Sequence, residues 1–168
     1  MIQVSLDTSF LISFADPTRP NHAAAVDYFR FCLAQNIPMW ISVIAAGEFE
    51  VGQPVSDLPL QNFRIQPYNL QHAVRAASLF RTLRETSVPV TEERRAIIIN
   101  DLKIIAQAEE EGLSAILTED GNSLSRFVQR LRSKNAVSVG VLLLSDGFSP
   151  GALSNPDQAE LKLPPGSR

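Results

Sequence analysis

The chain opens Met1-Ile2-Gln3-Val4-Ser5-Leu6-Asp7-Thr8-Ser9-Phe10-Leu11-Ile12, and the reading of this stretch decides the fold. Ile2 to Leu6 alternates apolar and polar residues, the period of a strand. Asp-Thr-Ser then supplies helix-capping side chains, and Phe10, Leu11 and Phe14 continue as a short helix. A strand that feeds directly into a helix is the first half of a βα unit. The same pattern recurs downstream. Asp16-Pro17 breaks the first helix. A second is predicted over residues 20–35, with Pro20 in its first turn and Ala24, Ala25, Tyr28, Phe29 and Leu33 near helical spacing. Met39-Trp40-Ile41 reads as a short strand, and Ser42 as the cap of a helix reaching about Val51. Residues 52–62 read as a loop, and Phe63 to Gln66 as a short edge strand stopped by Pro67.

An amphipathic helix is predicted from Leu70 to about Glu85, followed by a polar, irregular stretch from Thr86 to Arg95. The next helix is predicted from about Ile98 to Glu111, with Gly112 suited to its C-terminal cap. Ala115 to Leu117 reads as a strand, Ser123 to Leu131 as a helix, and Val137 to about Leu143 as a strand. Strands alternating with helices predict a parallel sheet covered on both faces. Ligands of such sheets bind beyond the carboxyl ends of the strands, at the switch point of the topology.

Composition narrows the function. With 168 residues the chain suits one domain with a full core, predicted over residues 1–148. The tail over 149–168 carries four of the 11 prolines and is expected to be mobile or to wrap the surface. The densest apolar stretch, Val137 to Leu144, is far too short to span a bilayer, so no membrane partner is expected. The N-terminus lacks a secretory pattern, and Cys32 is the only cysteine, which together favour the cytoplasm. A net charge of −3 argues against a generic nucleic-acid coat protein, but not against a nuclease whose acids are neutralised by cations. Arg126, Arg130, Arg132 and Lys134 form a local basic group that either meets phosphates or makes a solvated helix face.

Four acids stand where elements start or stop, or on an apolar helix face: Asp7, Glu48, Asp101 and Asp120. Asp7 and Asp120 close apolar strand-like runs, so they meet if the first and fourth strands are neighbours. Glu48 shares its helix face with Ile44 and Val51, where an acid is costly unless paired. Glu50 is expected to meet solvent. Asp101 shares a face with Ile105 and Ala108 and is expected in the first helical turn, where the helix dipole favours it. Glu109, Glu110 and Glu111 read as a solvated helix end. Each acid has a plainer role open to it: a cap for Asp7 and Asp120, an ordinary first-turn acid for Asp101. Converging carboxylates repel and raise each other's pKa values, so four remain ionised together only with a cation or with Lys and Arg partners. Mg²⁺ prefers such oxygen ligands, and a cation there can activate water and polarise a phosphodiester. There is no Gly-rich phosphate loop. His22 and His72, the only histidines, lack metal-ligand spacing and read as surface residues, which disfavours a histidine-based triad. Asp7-Thr8-Ser9 lacks the second aspartate of an aspartate-nucleophile phosphatase.

In order along the chain, these segments resemble the PIN-domain family, especially VapC-like toxins of bacterial toxin–antitoxin pairs. The resemblance covers roughly residues 2–145. Its four motifs are Val4-Ser5-Leu6-Asp7-Thr8-Ser9, Ile41-Ser42-Val43-Ile44-Ala45-Ala46-Gly47-Glu48-Phe49, Asn100-Asp101-Leu102-Lys103-Ile104-Ile105-Ala106, and Leu117-Thr118-Glu119-Asp120. It implies a three-layer α/β/α fold with a central, mainly parallel sheet of about five strands. It also implies metal-dependent RNA cleavage, with Asp7, Glu48, Asp101 and Asp120 holding Mg²⁺ or Mn²⁺ directly or through water. Ser9, Thr118 and Asn122 would orient carboxylates or water. Arg94, Arg95, Arg126 and Arg130 would bind the substrate. An antitoxin partner and a homodimer are further implications. Ala45 stands where the family commonly has Thr, and Asn122 stands near where another acid often follows. A non-catalytic PIN-like module that binds RNA or protein, and another Mg²⁺-dependent phosphoryl-transfer enzyme, are the alternative readings.

Overall fold

The computed structural model describes residues 1–84 and 92–154, with side chains in 1–84 and 95–153. Among these, five strands form one sheet: β1 (Val4–Leu6), β2 (Met39–Ser42), β3 (Arg64–Gln66), β4 (Ala115–Thr118) and β5 (Gly140–Leu143). Their spatial order is β3-β2-β1-β4-β5, and every pairing is parallel. The three-layer α/β/α architecture with a parallel sheet is therefore as the sequence predicts. Six helices connect the strands, α1 (Thr8–Ala15), α2 (His22–Ala34), α3 (Val43–Gly52), α4 (Leu70–Arg84), α5 (Glu92–Glu110) and α6 (Leu124–Ser133), and α7 (Pro150–Ser154) follows β5. The chain winds outward from β1 to β2 and β3, then crosses back to β4 and β5. With right-handed crossovers, α1 and α2 cover one face and α4, α5 and α6 the other. The packing agrees: α1 lies on α2, and α4, α5 and α6 lie against one another.

All three residues of β1 are buried, Ser5 included. The central strand of a parallel sheet is covered on both faces, so the alternation in its sequence does not become an inside and an outside. The apolar core is continuous, from Leu6, Ile41 and Phe10 to Ile105, Leu117 and Val128. Gly112 closes α5 at φ 64°, with Leu113 N donating to Ala108 O at 2.8 Å and Gly112 N to Glu109 O at 3.1 Å. This is the paired-bond helix ending that a left-handed residue permits.

Several local expectations are corrected. Helix α5 begins at Glu92, so Glu92 to Arg95 is helical rather than irregular. Residues 86–91 of that predicted stretch lie outside the described residues. Helix α2 starts at His22, after Pro20, with Asn21 as its cap residue. The loop over 52–62 contains two single 3₁₀ turns, Val55–Asp57 and Leu60–Asn62. His72 is not on the surface but buried. Its Nδ1 accepts from Asn69 N at 3.2 Å, which leaves the proton on Nε2 to donate to Glu111 Oε1, also at 3.2 Å. Glu109 is not a solvated helix end either. Its carboxylate accepts from Ser138 N and Val139 N at 2.8 and 3.0 Å and seats the chain just before β5. Within the stretch expected as a tail, Ala152 and Leu153 of α7 are buried against the core. Residues 155–168 lie outside the described residues.

Candidate active site

Strand β1 pairs with β2 on one side and β4 on the other, and the direction of winding reverses at this point. That reversal leaves a crevice beyond the carboxyl ends of β1 and β4. Asp7 and Asp120 enter it from those ends. Asp7 continues the β1–β4 ladder, its N–H donating to Leu117 O at 3.1 Å. It is also the N-cap of α1, with φ −76° and ψ 161°. Glu48 comes in from α3 and Asp101 from α5. All four carboxylates line one open cleft of about 330 Å³, together with Thr8, Ser9 and Asn100. The plainer roles are real as well: Asp7 caps α1, and Asp120 Oδ1 accepts from Asn122 N and Ser123 N at 2.9 and 2.8 Å.

Asp7 is 6% exposed. Ser9 Oγ and Thr118 Oγ1 both donate to its Oδ2, at 2.7 and 2.8 Å. The two hydroxyls are themselves oriented by backbone donors: Glu119 N reaches Ser9 Oγ and Asp120 N reaches Thr118 Oγ1, each at 2.9 Å. The two hydroxyls also lie 2.9 Å from each other, so both sit in one network around the carboxylate. Burial nevertheless outweighs these bonds and holds the Asp7 carboxyl above the usual carboxylate range.

Asp101 is corrected in position. It is the tenth residue of α5, not a first-turn acid, so no helix end helps it. It does ride on a buried face, as expected, with Ile105 and Ala108 fully buried. Its carboxyl is pushed up to about 7, chiefly by burial, with Asp7, Asp120 and Glu48 adding repulsion and a Ser123 hydroxyl bond opposing. Glu48 is exposed, so the expected penalty for an acid on an apolar face does not arise; Val51 beside it is exposed too. What holds Glu48 is a clamp: Thr8 Oγ1 donates to Oε2 at 2.5 Å and Asn100 Nδ2 to Oε1 at 2.8 Å.

The cleft suits a hard divalent cation. Its carboxylates offer oxygen ligands, and burial holds two of its carboxyls, Asp7 and Asp101, above their ordinary range. Among the described residues, no three acids already stand as a closed ligand set.

Thr8, Asn100 and Ser123 belong to the site although sequence reasoning did not single them out. Each is next to, or within one turn of, one of the four acids. Glu119 was also missed. It faces away from the cleft and accepts from Ser13, Arg19 and Asn21 at 2.8, 2.9 and 2.7 Å. Burial raises its carboxyl, but those three donors outweigh it and hold the group below its usual value. The fixed turn places Asp120 by pinning its neighbour.

Among the described side chains, Arg95, Arg126 and Arg130 do not line the cleft. Arg126 and Arg130 are exposed on α6, Arg95 lies over the Phe80 ring at 5.8 Å, and the Arg94 side chain lies outside the described residues. Asn122 is exposed at the turn after Asp120.

The fold and the cleft define a parallel α/β protein with a carboxylate centre at its switch point. The chain belongs to the PIN domain family, whose profile matches residues 4–128. No curated protein sequence matches it. Solved structures of the same fold include VapBC2 from Rickettsia felis bound to a promoter DNA fragment, at 16% identity and a TM-score of 0.57, covering 84% of this chain and 98% of that one. FitAcB from Neisseria gonorrhoeae is similar at 18% identity and a TM-score of 0.58, covering 89% and 99%. The Mycobacterium tuberculosis toxin VapC20, described as cleaving the sarcin–ricin loop, is similar at 15% identity and 0.54, covering 76% and 94%. Among the described residues no helix is long and apolar enough to cross a membrane.

Proposed function

We propose that this protein is a divalent-metal-dependent endoribonuclease that cleaves RNA phosphodiester bonds, and that it is the toxin of a toxin–antitoxin pair. The observation that carries the reading is the convergence of Asp7, Glu48, Asp101 and Asp120, from four separate segments, on one cleft at the switch point. Family membership supports it, as do fold neighbours that are themselves toxins or toxin–antitoxin complexes. The toxin role, a small antitoxin partner, a homodimer and a cytoplasmic location rest on that likeness, which is an argument by analogy.

The four acids would hold Mg²⁺ or Mn²⁺, which when bound supplies the charge that polarises a phosphodiester and activates water for in-line attack. The chain's own residues prepare the place. Ser9 and Thr118 fix Asp7 by donating to its Oδ2. Thr8 and Asn100 fix Glu48. Ser123 fixes Asp101. The deciding experiment incubates wild-type and Asp7→Asn protein with RNA oligonucleotides, with small phosphate esters alongside, in Mg²⁺ and in EDTA. Cleavage of RNA alone, dependent on Mg²⁺ and abolished in a folded Asp7→Asn variant, is expected. Full activity in that variant would overturn the assignment, and turnover of the small esters instead would point to a phosphatase.

A further inference from the structure

We propose that the basic face formed by α4, the start of α5 and α6 carries the RNA backbone leading into the carboxylate cleft. This rests on the ribonuclease reading and gives its substrate a path. Helices α4 and α6 hold six arginines and not one Asp or Glu, in a chain whose net charge is −3. They pack against each other and against α5, and Lys134 Nζ at the end of α6 donates to Thr82 O of α4 at 3.1 Å. Arg81, Arg84, Arg95, Arg126 and Arg130 are all exposed.

Arg19 meets Glu119 at 2.9 Å, and Arg75, in the first half of α4, meets Glu110 at 3.5 Å. None of the five on this face has such a carboxylate partner among the described residues. Two of them share one aromatic ring, with Arg84 and Arg95 lying 5.9 and 5.8 Å from the centroid of Phe80. Like charges gathered on one ring repel, and a phosphate between them would relieve that repulsion. The face also abuts the cleft on two sides. Arg95 immediately precedes Ala96 and Ile97 of the cleft wall, and Ser123, just before α6, bonds Asp101.

A polyanion fits this surface better than a protein does. The exposed apolar side chains of α4, Leu70 and Val74, sit in its first half, away from Arg81 and Arg84, and Ile97, exposed beside Arg95, belongs to the cleft wall. A protein dock would want an apolar centre among the charges. An RNA strand approaching a cleft lined by four acids needs a positive track beside it, and this is where one lies.

The test measures binding of a short labelled single-stranded RNA by anisotropy, over a salt series, with Asp7→Asn as the cleavage-free background. The double variants Arg81→Gln/Arg84→Gln and Arg126→Gln/Arg130→Gln should each bind about tenfold more weakly. Each should also flatten the slope of log affinity against log salt by about 0.7 for every phosphate left without its cation. Lysine in the same positions should keep the slope, and Arg30→Gln on α2 should change neither quantity. Wild-type affinity and slope in both glutamine variants would overturn the proposal. So would unchanged RNA binding alongside abolished binding of a poly-glutamate peptide, which would mark the face as a protein dock. If the protein with intact Asp7 cleaves RNA in Mg²⁺, such a result removes only the track. If it shows no Mg²⁺-dependent cleavage, the ribonuclease reading fails and the track falls with it.

Discussion

Two hydroxyl protons meet on one oxygen of Asp7, and this arrangement sets the behaviour of the site's most buried acid. Thr118→Val keeps the shape and removes one donor. It should weaken Mg²⁺ binding measured by calorimetry, by ~1–3 kcal/mol, because the carboxylate loses a charge-assisted bond it has already been desolvated to make. Asp101 sets the pH response. Its folded pKa, about 7, stands above the ordinary 3.8, so its ionisation costs the fold stability. That cost is absent below the ordinary value, grows as pH rises towards the folded value and is constant above it. Metal-free Asp101→Asn should therefore be more stable than wild type at about pH 8, on the order of 1–3 kcal/mol, with the gain vanishing as pH falls towards the ordinary pKa. Urea titrations at a series of pH values would show it. Mg²⁺ affinity should fall as pH drops through the same region, since the ion needs the ionised carboxylate.

Helix α5 carries Asp101 and is held in register by a buried amide one and a half turns further on. Gln107 Oε1 accepts from Ser42 Oγ at 2.5 Å, and its Nε2 donates to Gln66 O and Pro67 O at 3.3 and 3.2 Å. One side chain thus ties α5 to the carboxyl ends of β2 and β3. Gln107→Leu should cost ~2–4 kcal/mol in urea unfolding, because a buried hydroxyl and two carbonyls lose their partner. The same helix shows where sequence patterning stops. Ile98 to Gly112 was legible because its apolar residues face the core. Glu92 to Arg95 was not, because the first turns of α5 carry no apolar period to read. Its strong helix formers were the only signal, and propensity is a weak one.

For the molecule as a whole, a cation that binds only the folded chain must stabilise it. At an Mg²⁺ concentration about 100 times its Kd the gain should be ~2.7 kcal/mol. Thermal melts should rise with Mg²⁺, fall back with EDTA, and respond much less in Asp7→Asn. A melt indifferent to Mg²⁺ and Mn²⁺ would count against a metal centre. The parallel sheet makes this linkage global, because Asp7 directly follows the central strand β1 and Asp120 lies two residues beyond its neighbour β4.

The order of strands, helices and acids along the chain was settled by the sequence, since periodicity and capping are local and survive being read one segment at a time. Asp7 at a strand end, Gly112 at a helix end and the two-sided cover of the sheet follow from that reading. Only the tertiary structure decided that β1 and β4 are neighbours, that Thr8 and Asn100 clamp Glu48, and that α4 packs against α6. It also decided that His72 is buried and that Asp101 sits in mid-helix. Each of these depends on contacts between residues tens of positions apart, and such contacts are set by how the layers pack rather than by any period within one segment.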